Sequence, residues 1–308
     1  ASSDSGLAIS YSLGVHTTNN SCSVTSGGLI SILDTGFCEI YANQAGNSIY
    51  SAASMVSQNF SIDRAAQAAV TLTNASTVTY GNTLTLTAAG GSGTGAISYS
   101  LGSGSTGICT VSGSGTSATV TVVTAGSCNI VSTKAGDANF GSTTANVTIT
   151  INKASQSTLN VSAATSAFNF QASPALTTTV SSTGGSGTGT TSYAIQAGSA
   201  SVCSISGTTV TILTAGNCVV VATKAADTNF LVTTGSVTIV ISKGNQAAFT
   251  TSAAATSLTY RSSPAVTTTV GSSGGSGSGT TTYSVAAHAA SVCSISGTTV
   301  TVLGAGTC

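Results

Sequence analysis

Charged side chains are scarce in this sequence. Its 308 residues include six basic and six acidic ones, which amount to 4% of the chain and cancel to a net charge of zero. An average soluble domain carries about 25% charged residues. Without a basic field, the chain has nothing to attract nucleic acid or an anionic membrane. We therefore expect no nucleic-acid partner.

Residues that usually carry catalysis are also few. Tryptophan is absent, glutamate occurs once, and the two histidines, His16 and His288, lie far apart in the chain. A Ser-His-Asp arrangement needs a held histidine and an orienting carboxylate. Apolar runs such as 237–241 are far shorter than the roughly 20 residues of a membrane-spanning helix. We expect no enzyme, no cofactor or metal, and no membrane span within this segment.

The feature that is present is a tandem repeat. AGSCNIVSTKAGDANF at 125–140 returns as AGNCVVVATKAADTNF at 215–230, and a diverged form, TGFCEIYANQAGNSIY, lies at 35–50. A glycine recurs every 90 residues, at Gly36, Gly126, Gly216 and Gly306. A fixed period of this size indicates tandem copies of one domain. The predicted domains are copy one (1–64, the C-terminal part of a repeat), copy two (65–153), copy three (154–243) and copy four (244–308, the N-terminal part of a repeat).

The copies follow one another without a linker. The junctions read IDRAAQ, INKASQ and ISKGNQ, so the last strand of one copy passes directly into the next, and a stiff rod is expected. The basic residues of the junctions, Arg64, Lys153 and Lys243, are interpreted as solvated charges. Because the sequence begins and ends inside a repeat, we expect an interior piece of a longer exported polypeptide.

Alternating apolar and polar residues predict short strands in each copy. Period-two patterning with β-branched residues fits strands covered on one face. Seven strands at this spacing favour a β-sandwich with an Ig-like fold, with a core of Val, Ile and Leu and one aromatic such as Tyr99, Tyr193 or Tyr283. In copy two the predicted strands are 70–73, 83–87, 97–101, 108–111, 118–123, 128–133 and 145–151.

Eight cysteines pair by position within the copies. Each copy contains two, and none has the C-x-x-C clustering of a metal site. One disulfide per copy is the interpretation, which implies an oxidising compartment and adds about 3 kcal/mol of stability for a loop of about 15 residues. The bridge would fasten a short strand to the beginning of the next strand but one. The predicted pairs are Cys22 with Cys38, Cys109 with Cys128, Cys203 with Cys218, and Cys293 with Cys308.

The order of motifs resembles a known family. YGNTLTLTAAGG from Tyr80, an aromatic strand, AGSCNIVSTKAGDANF and ANVTITINKA are similar to the bacterial Ig-like tandem repeats of large extracellular surface and adhesin proteins. The resemblance covers the whole chain and implies an Ig-like sandwich in an extracellular setting. The family supplies both spacers and binding tips. Asn47 departs from the motif aspartate, and the YG opening becomes FQASP and YRSSP in the later copies.

Two loop motifs have modest interpretations. GGSGTG at 90–95 and 184–189, with GGSGSG at 274–279, superficially resembles a phosphate loop, but a strand follows and no Lys or Arg accompanies it. A flexible connection between strands is predicted.

The Asp-x-Asn pairs in AGDANF (Asp137, Asn139) and AADTNF (Asp227, Asn229) offer too few oxygens for calcium. An Asx turn is predicted, with the following phenylalanine anchored in the core.

These observations favour a non-enzymatic structural segment of an extracellular fibre, filament or stalk on a bacterial-type cell surface. Its predicted partners are copies of itself, with surface glycans as a further possibility. The alternative is an adhesin or carbohydrate-binding module, which predicts exposed aromatic residues grouped on one face. Asparagine sequons at Asn59, Asn74, Asn146 and Asn160 leave glycosylation open.

Overall fold

The structure, a computed structural model, describes residues 1–73 and 76–308. It forms two compact units. The first comprises 1–157, 185–190 and 224–233, and the second comprises 158–184, 191–223 and 234–308. The predicted domain boundaries follow the sequence repeat and stay a prediction. The sequon at Asn74 lies outside the described residues.

Copy one, in the first unit, contributes two small sheets. One is ordered β1-β4-β5 and the other is the hairpin β2-β3. Both pack around the bridge between Cys22 and Cys38, together with Ile40. The strands are β1 (Ser10–Leu13), β2 (Cys22–Val24), β3 (Ile30–Ile32), β4 (Gly36–Asn43) and β5 (Val56–Ile62).

Copy two, in the same unit, has eight strands. They are β6 (Val70–Thr73), β7 (Thr77–Thr79), β8 (Thr83–Gly90), β9 (Ile97–Leu101), β10 (Cys109–Ser114), β11 (Ser117–Val122), β12 (Gly126–Lys134) and β13 (Thr143–Asn152). The order β6-β8-β11-β10 forms the first sheet and β9-β12-β13-β7 the second. A single residue pair, Ser114 with Ser98, joins the sheets at one edge.

The second unit repeats this arrangement. In copy three the first sheet is β14-β16-β19-β18 and the second is β15-β21-β20-β17; copy four contributes the sheet β22-β23-β25-β24. Two short 3-10 turns, Ala197–Ser199 and Ala287–Ala289, precede cysteines. The strands are β14 (Leu159–Ala163), β15 (Ala167–Asn169), β16 (Thr177–Gly184), β17 (Thr191–Ile195), β18 (Cys203–Ser206), β19 (Thr209–Ile212), β20 (Gly216–Lys224), β21 (Thr233–Ser242), β22 (Phe249–Ala253), β23 (Thr267–Gly274), β24 (Cys293–Ser296) and β25 (Thr299–Val302).

Alternation along each strand creates the core. In β8, Leu86 is fully buried while the threonines on either side are exposed, because successive side chains point to opposite faces of a strand. Leu86 packs with Val120, Ile130 and Ile149 between the two sheets of copy two. The predicted core tyrosine, Tyr99, is only partly buried and packs at the margin of this cluster; burial raises the pKa of its hydroxyl.

Strand order identifies the sandwich as Ig-like. When the short strand β7 is left out of the count, the first, second, fifth and fourth strands of copy two form one sheet, and the third, sixth and seventh form the other, as in constant-type Ig domains. The predicted fold class is confirmed, with one disulfide in each copy. The seven strands predicted for copy two are present, shifted by three residues at most. The prediction missed β7, a three-residue strand that pairs in parallel with β13.

The disulfides of copies one, two and three each cross from one sheet to another. In copy two, Cys109 begins β10 in the first sheet and Cys128 lies in β12 of the second, with Cα atoms 6.0 Å apart. Copies one and three place their cysteines in the corresponding strands, whereas Cys308 of copy four follows the last strand; the Cα separations are 5.8 to 5.9 Å. Within residues 1–73 and 76–308, no helix has the length and apolarity needed to cross a membrane.

Candidate functional site at the joints between copies

The D-x-N-F motif forms a loop between the last two strands of a copy. We call residues 137–140 and 227–230 the joint loops. Asp137 Oδ1 accepts hydrogen bonds from the N–H groups of Asn139 (3.0 Å) and Phe140 (2.9 Å), and Asp227 does the same in copy three. This geometry confirms the predicted Asx turn.

The second oxygen of each aspartate holds the Gly-rich loop. Asp137 Oδ2 accepts from Thr94 N–H at 2.6 Å and from its hydroxyl at 3.2 Å, and Asp227 Oδ2 accepts likewise from Thr188. Hydrogen bonds to the ionised form lower a carboxyl pKa. Bonds from Thr94, Phe140 and Asn139 lower the pKa of Asp137, and those from Thr188, Asn229 and Phe230 lower the pKa of Asp227 to about 2.

This contact corrects the expectation of a flexible connection. Gly93 and Gly187, at the centre of the Gly-rich loops, have φ of +74° and +75°, a left-handed conformation that glycine adopts without strain. A Cβ atom at either glycine would overlap the Oδ2 atom of Asp137 or Asp227. The glycines therefore allow the carboxylate to approach, and each loop has fixed partners.

A junction glutamine and a lysine complete the support. Gln67 Nε2 donates to the carbonyls of Ala135 (2.8 Å) and Gly141 (2.7 Å), which tie the start of copy two to both ends of its joint loop. Gln156 makes the corresponding bonds in copy three. Lys134 is buried, and its Nζ donates to Gly95 O at 2.9 Å. The sequence did not single out these side chains.

The joint loop also reaches the preceding copy. Asn139 Oδ1 accepts from Thr35 N–H of copy one at 3.1 Å, and Asn229 Oδ1 accepts from Ala125 N–H of copy two at 2.8 Å. Both contacts join residues 104 apart in the sequence. In both contacts the donor residue immediately precedes one of the glycines that recur every 90 residues, Gly36 or Gly126. The sequence motif thus has a second role that the Asx turn does not explain: it holds two copies together.

Backbone bonds fix the chain as it passes between copies. Ala154 N–H donates to Asn229 O, and Leu231 N–H donates to Ala154 O, each at 2.9 Å. Ala65 makes the equivalent pair of bonds with the joint loop of copy two. Lys153 is exposed at the junction, in line with the prediction of a solvated charge, and its Nζ in addition donates to the carbonyl of Asp227.

The aromatic residue of the joint loop also differs from the prediction. Phe230 is half-buried and lies against Tyr80 of copy two, with ring centroids 5.4 Å apart and planes at 80°. An edge-to-face pair of this kind contributes about 0.5–1.5 kcal/mol beyond the area it buries. The ring therefore belongs to the joint and not to the core of its own copy.

A buried hydroxyl near each disulfide was missed by sequence analysis. Ser105 is fully buried; its Oγ donates to Asn129 O and accepts from Asn129 N–H. Ser199 Oγ donates to Asn217 O and accepts from Val219 N–H, two residues of strand β20. The available signal was a serine four residues before the first cysteine of copies two and three.

The histidine of copy one contacts the single glutamate. His16 Nδ1 lies 2.9 Å from Glu39 Oε2, which also accepts the His16 N–H at 3.1 Å. Burial raises the pKa of Glu39, but the hydrogen bonds from His16 and Tyr41 together lower it by more, so the pKa lies below its ordinary value. In the described part of the chain, His, Cys, Asp and Glu side chains form no group of three that could hold a metal ion.

No family model and no curated protein matches the chain. Among solved structures, it is similar to Drosophila N-cadherin EC1-4, at 13% identity over 77% of this chain and 66% of that one, with a TM-score of 0.30. It is similar to the N-terminal eight Ig domains of Down Syndrome Cell Adhesion Molecule, at 12% identity over 77% of this chain and 32% of that one, with a TM-score of 0.35. Fibronectin(III)-like modules of Clostridium thermocellum CbhA give 14% identity over 57% of this chain and 95% of that one, with a TM-score of 0.23. Similarities of this size carry no argument about function.

Proposed function

We propose that the chain is a non-enzymatic, load-bearing repeat segment of an extracellular fibre or stalk on a bacterial-type cell surface. The observation that carries the proposal is the parallel pairing of the first and last parts of each complete copy. In copy two, β7 pairs with β13 through Thr77–Thr150, Val78–Ile151 and Thr79–Asn152. In copy three, β15 pairs with β21 in the same way.

Parallel pairing determines how tension acts on a copy. The chain enters a copy through β6 or β14, continues into β7 or β15 and leaves through β13 or β21, and the two paired strands run in one direction. Pulling the two ends apart therefore slides the strands along each other and loads several hydrogen bonds at once. The joints add to this resistance, because each copy is hydrogen-bonded to the preceding one at Asn139 or Asn229.

The disulfides limit extension once a copy yields. They close 19 residues in copy two and 15 in copy three, and all eight cysteines are bonded. Disulfides persist in oxidising compartments, which supports an extracellular or cell-surface location.

The adhesin or carbohydrate-binding alternative predicts exposed aromatic residues grouped on one face. The exposed aromatic side chains of the described residues are Tyr50 in copy one and Phe249 and Tyr260 in copy four. Neither complete copy presents one.

Single-molecule force spectroscopy on the full chain, held at its two ends, tests the proposal. We expect separate unfolding events for copies two and three. At about 3.5 Å per residue, reduction lengthens the extended chain by about 60 Å for copy two and about 45 Å for copy three. Unfolding at forces too small to resolve would contradict a load-bearing role, and tight binding to a glycan array would favour the alternative.

A further inference from the structure

One face of the repeat is an ordered surface of hydroxyl groups. In copy two, the outward side of the sheet β6-β8-β11-β10 carries threonine and serine at successive outward positions. Two rows run directly across three strands, Thr83–Thr121–Thr110 and Thr85–Thr119–Ser112. All six residues are exposed. We call this surface the hydroxyl face.

The same face recurs in the second unit. Copy three presents the row Thr179–Thr209–Ser206, and copy four presents Thr269–Thr299–Ser296. Directly opposed residues of neighbouring strands lie about 5 Å apart, so the hydroxyls form a regular array. Ser162 and Ser181, opposed on β14 and β16, show that such hydroxyls reach each other, with Oγ atoms 3.1 Å apart.

Charge is excluded from this face. None of the charged residues of the described chain lies on the strands of the first sheets of copies two, three and four. In copies two and three the charged side chains gather instead at the joints, as Asp137, Lys153 and Asp227 illustrate. Soluble domains commonly carry interspersed surface charges, which limit association with other surfaces. Here that protection is missing from three copies in the same place.

We propose that the hydroxyl face is the surface through which a second copy of this chain packs side by side with the first. A hydroxyl is both donor and acceptor, so a face made of hydroxyls is complementary to an identical face. An uncharged face also meets its own copy without like-charge repulsion. The face is present in both compact units, in copy two of the first and in copies three and four of the second. This inference rests on the proposed fibre function and names the lateral contact of that fibre.

Sedimentation velocity of the full, oxidised chain tests the contact. Measurements would cover about 1 μM to about 1 mM, the range of weak self-association. The test variant carries Thr119→Lys and Thr209→Lys, two exposed positions of the hydroxyl face. The matched control carries Thr144→Lys and Thr234→Lys, which are exposed on β13 and β21 of the other sheets and add the same charge.

We expect the wild-type chain and the control to associate over the same concentration range. The test variant should associate only at concentrations at least about tenfold higher. A wild-type chain that stays monomeric throughout, or equal losses in both variants, would overturn the proposal. Sugars located on these hydroxyls by peptide mapping of native material would also overturn it. Forced unfolding of the test variant should be unchanged, so loss of lateral contact and loss of load-bearing are separate results.

Discussion

Two loops at the same place in the repeat, 47–50 in copy one and 137–140 in copy two, show what the joint requires. In copy one, Asn47 Oδ1 accepts from the N–H groups of Ile49 (2.8 Å) and Tyr50 (2.9 Å), just as Asp137 Oδ1 accepts within its own loop. The turn itself therefore needs only one side-chain oxygen. Asparagine and aspartate are interchangeable for that purpose.

The other features of the loop are not interchangeable. The second carboxylate oxygen of Asp137 binds Thr94, whereas the second terminal atom of an asparagine is a donor and cannot accept. Ile49 stands where copies two and three have the joint asparagine, and its aliphatic side chain has no oxygen that could accept a hydrogen bond. The loop of copy one keeps the turn and lacks both long-range contacts. The comparison separates a local role from two roles that hold larger pieces together.

The largest expected effect comes from filling the space beside the second carboxylate oxygen. Gly187→Ala should destabilise copy three by about 3 kcal/mol, because left-handed backbone strain adds to overlap with Asp227. Gly6 of copy one has a similar φ, +72°, but open space around it. Gly6→Ala should therefore cost only about 1 kcal/mol. Chemical denaturation of the two variants measures the difference, and equal losses would show that the carboxylate contact is unimportant.

Next in size is the loss of that oxygen itself. Asp227→Asn keeps the turn, as Asn47 does naturally, but removes the acceptor for Thr188. We expect the thermal midpoint of copy three to fall by a few degrees. Protection of the Thr188 amide from hydrogen exchange should be lost, while that of Phe230 remains. Retained protection at Thr188 would contradict the assignment of the turn to one carboxylate oxygen of Asp227 and of the Thr188 contact to the other.

The same pair predicts a dependence on acid. The folded pKa of Asp227, about 2, lies below its ordinary value of 3.8, so the folded state binds fewer protons there than the unfolded state. This stabilisation is complete above about pH 4 and disappears as the pH falls through 2. Acid denaturation of the wild type should therefore be steeper across this window than that of Asp227→Asn. Parallel curves would argue against the shift.

The smallest effect concerns the bond between copies. Asn229→Leu removes the acceptor for Ala125 N–H and should cost about 1 kcal/mol. Ile49→Leu, at the position that makes no such bond in copy one, is the matched control and should be neutral. Hydrogen exchange at the Ala125 amide should quicken in the first variant. An unchanged rate would show that the joint does not depend on the asparagine.

Local patterns predicted most of the fold. Alternation such as TLTLT at 83–87 determines a strand and its buried face without reference to the rest of the chain, and two cysteines per copy leave a single pairing within it. The strand β7 was missed because three residues carry little pattern and its partner lies about 70 residues later.

The joint was harder to predict. Asp137 was assigned correctly to a turn, because its Oδ1 partners lie two and three residues away. Asn139 contacts a residue 104 positions earlier, and the donor is a backbone N–H that every residue except proline provides. No sequence signal can mark such a donor. On the acceptor side of this hydrogen bond, the available sequence signal was that copy one has Ile49 where copies two and three have Asn139 and Asn229.

That backbone donor has a consequence for how such a protein changes over generations. Because the joint asparagine meets the main chain, it accepts alike from threonine at position 35 and alanine at position 125, although the Thr35 hydroxyl adds a bond to Ala138 O at 2.6 Å. A copy with D-x-N-F can therefore follow any copy that presents this N–H, without a compensating substitution. Recombination between repeats could lengthen, shorten or shuffle the array, and each new neighbour would dock as the old one did.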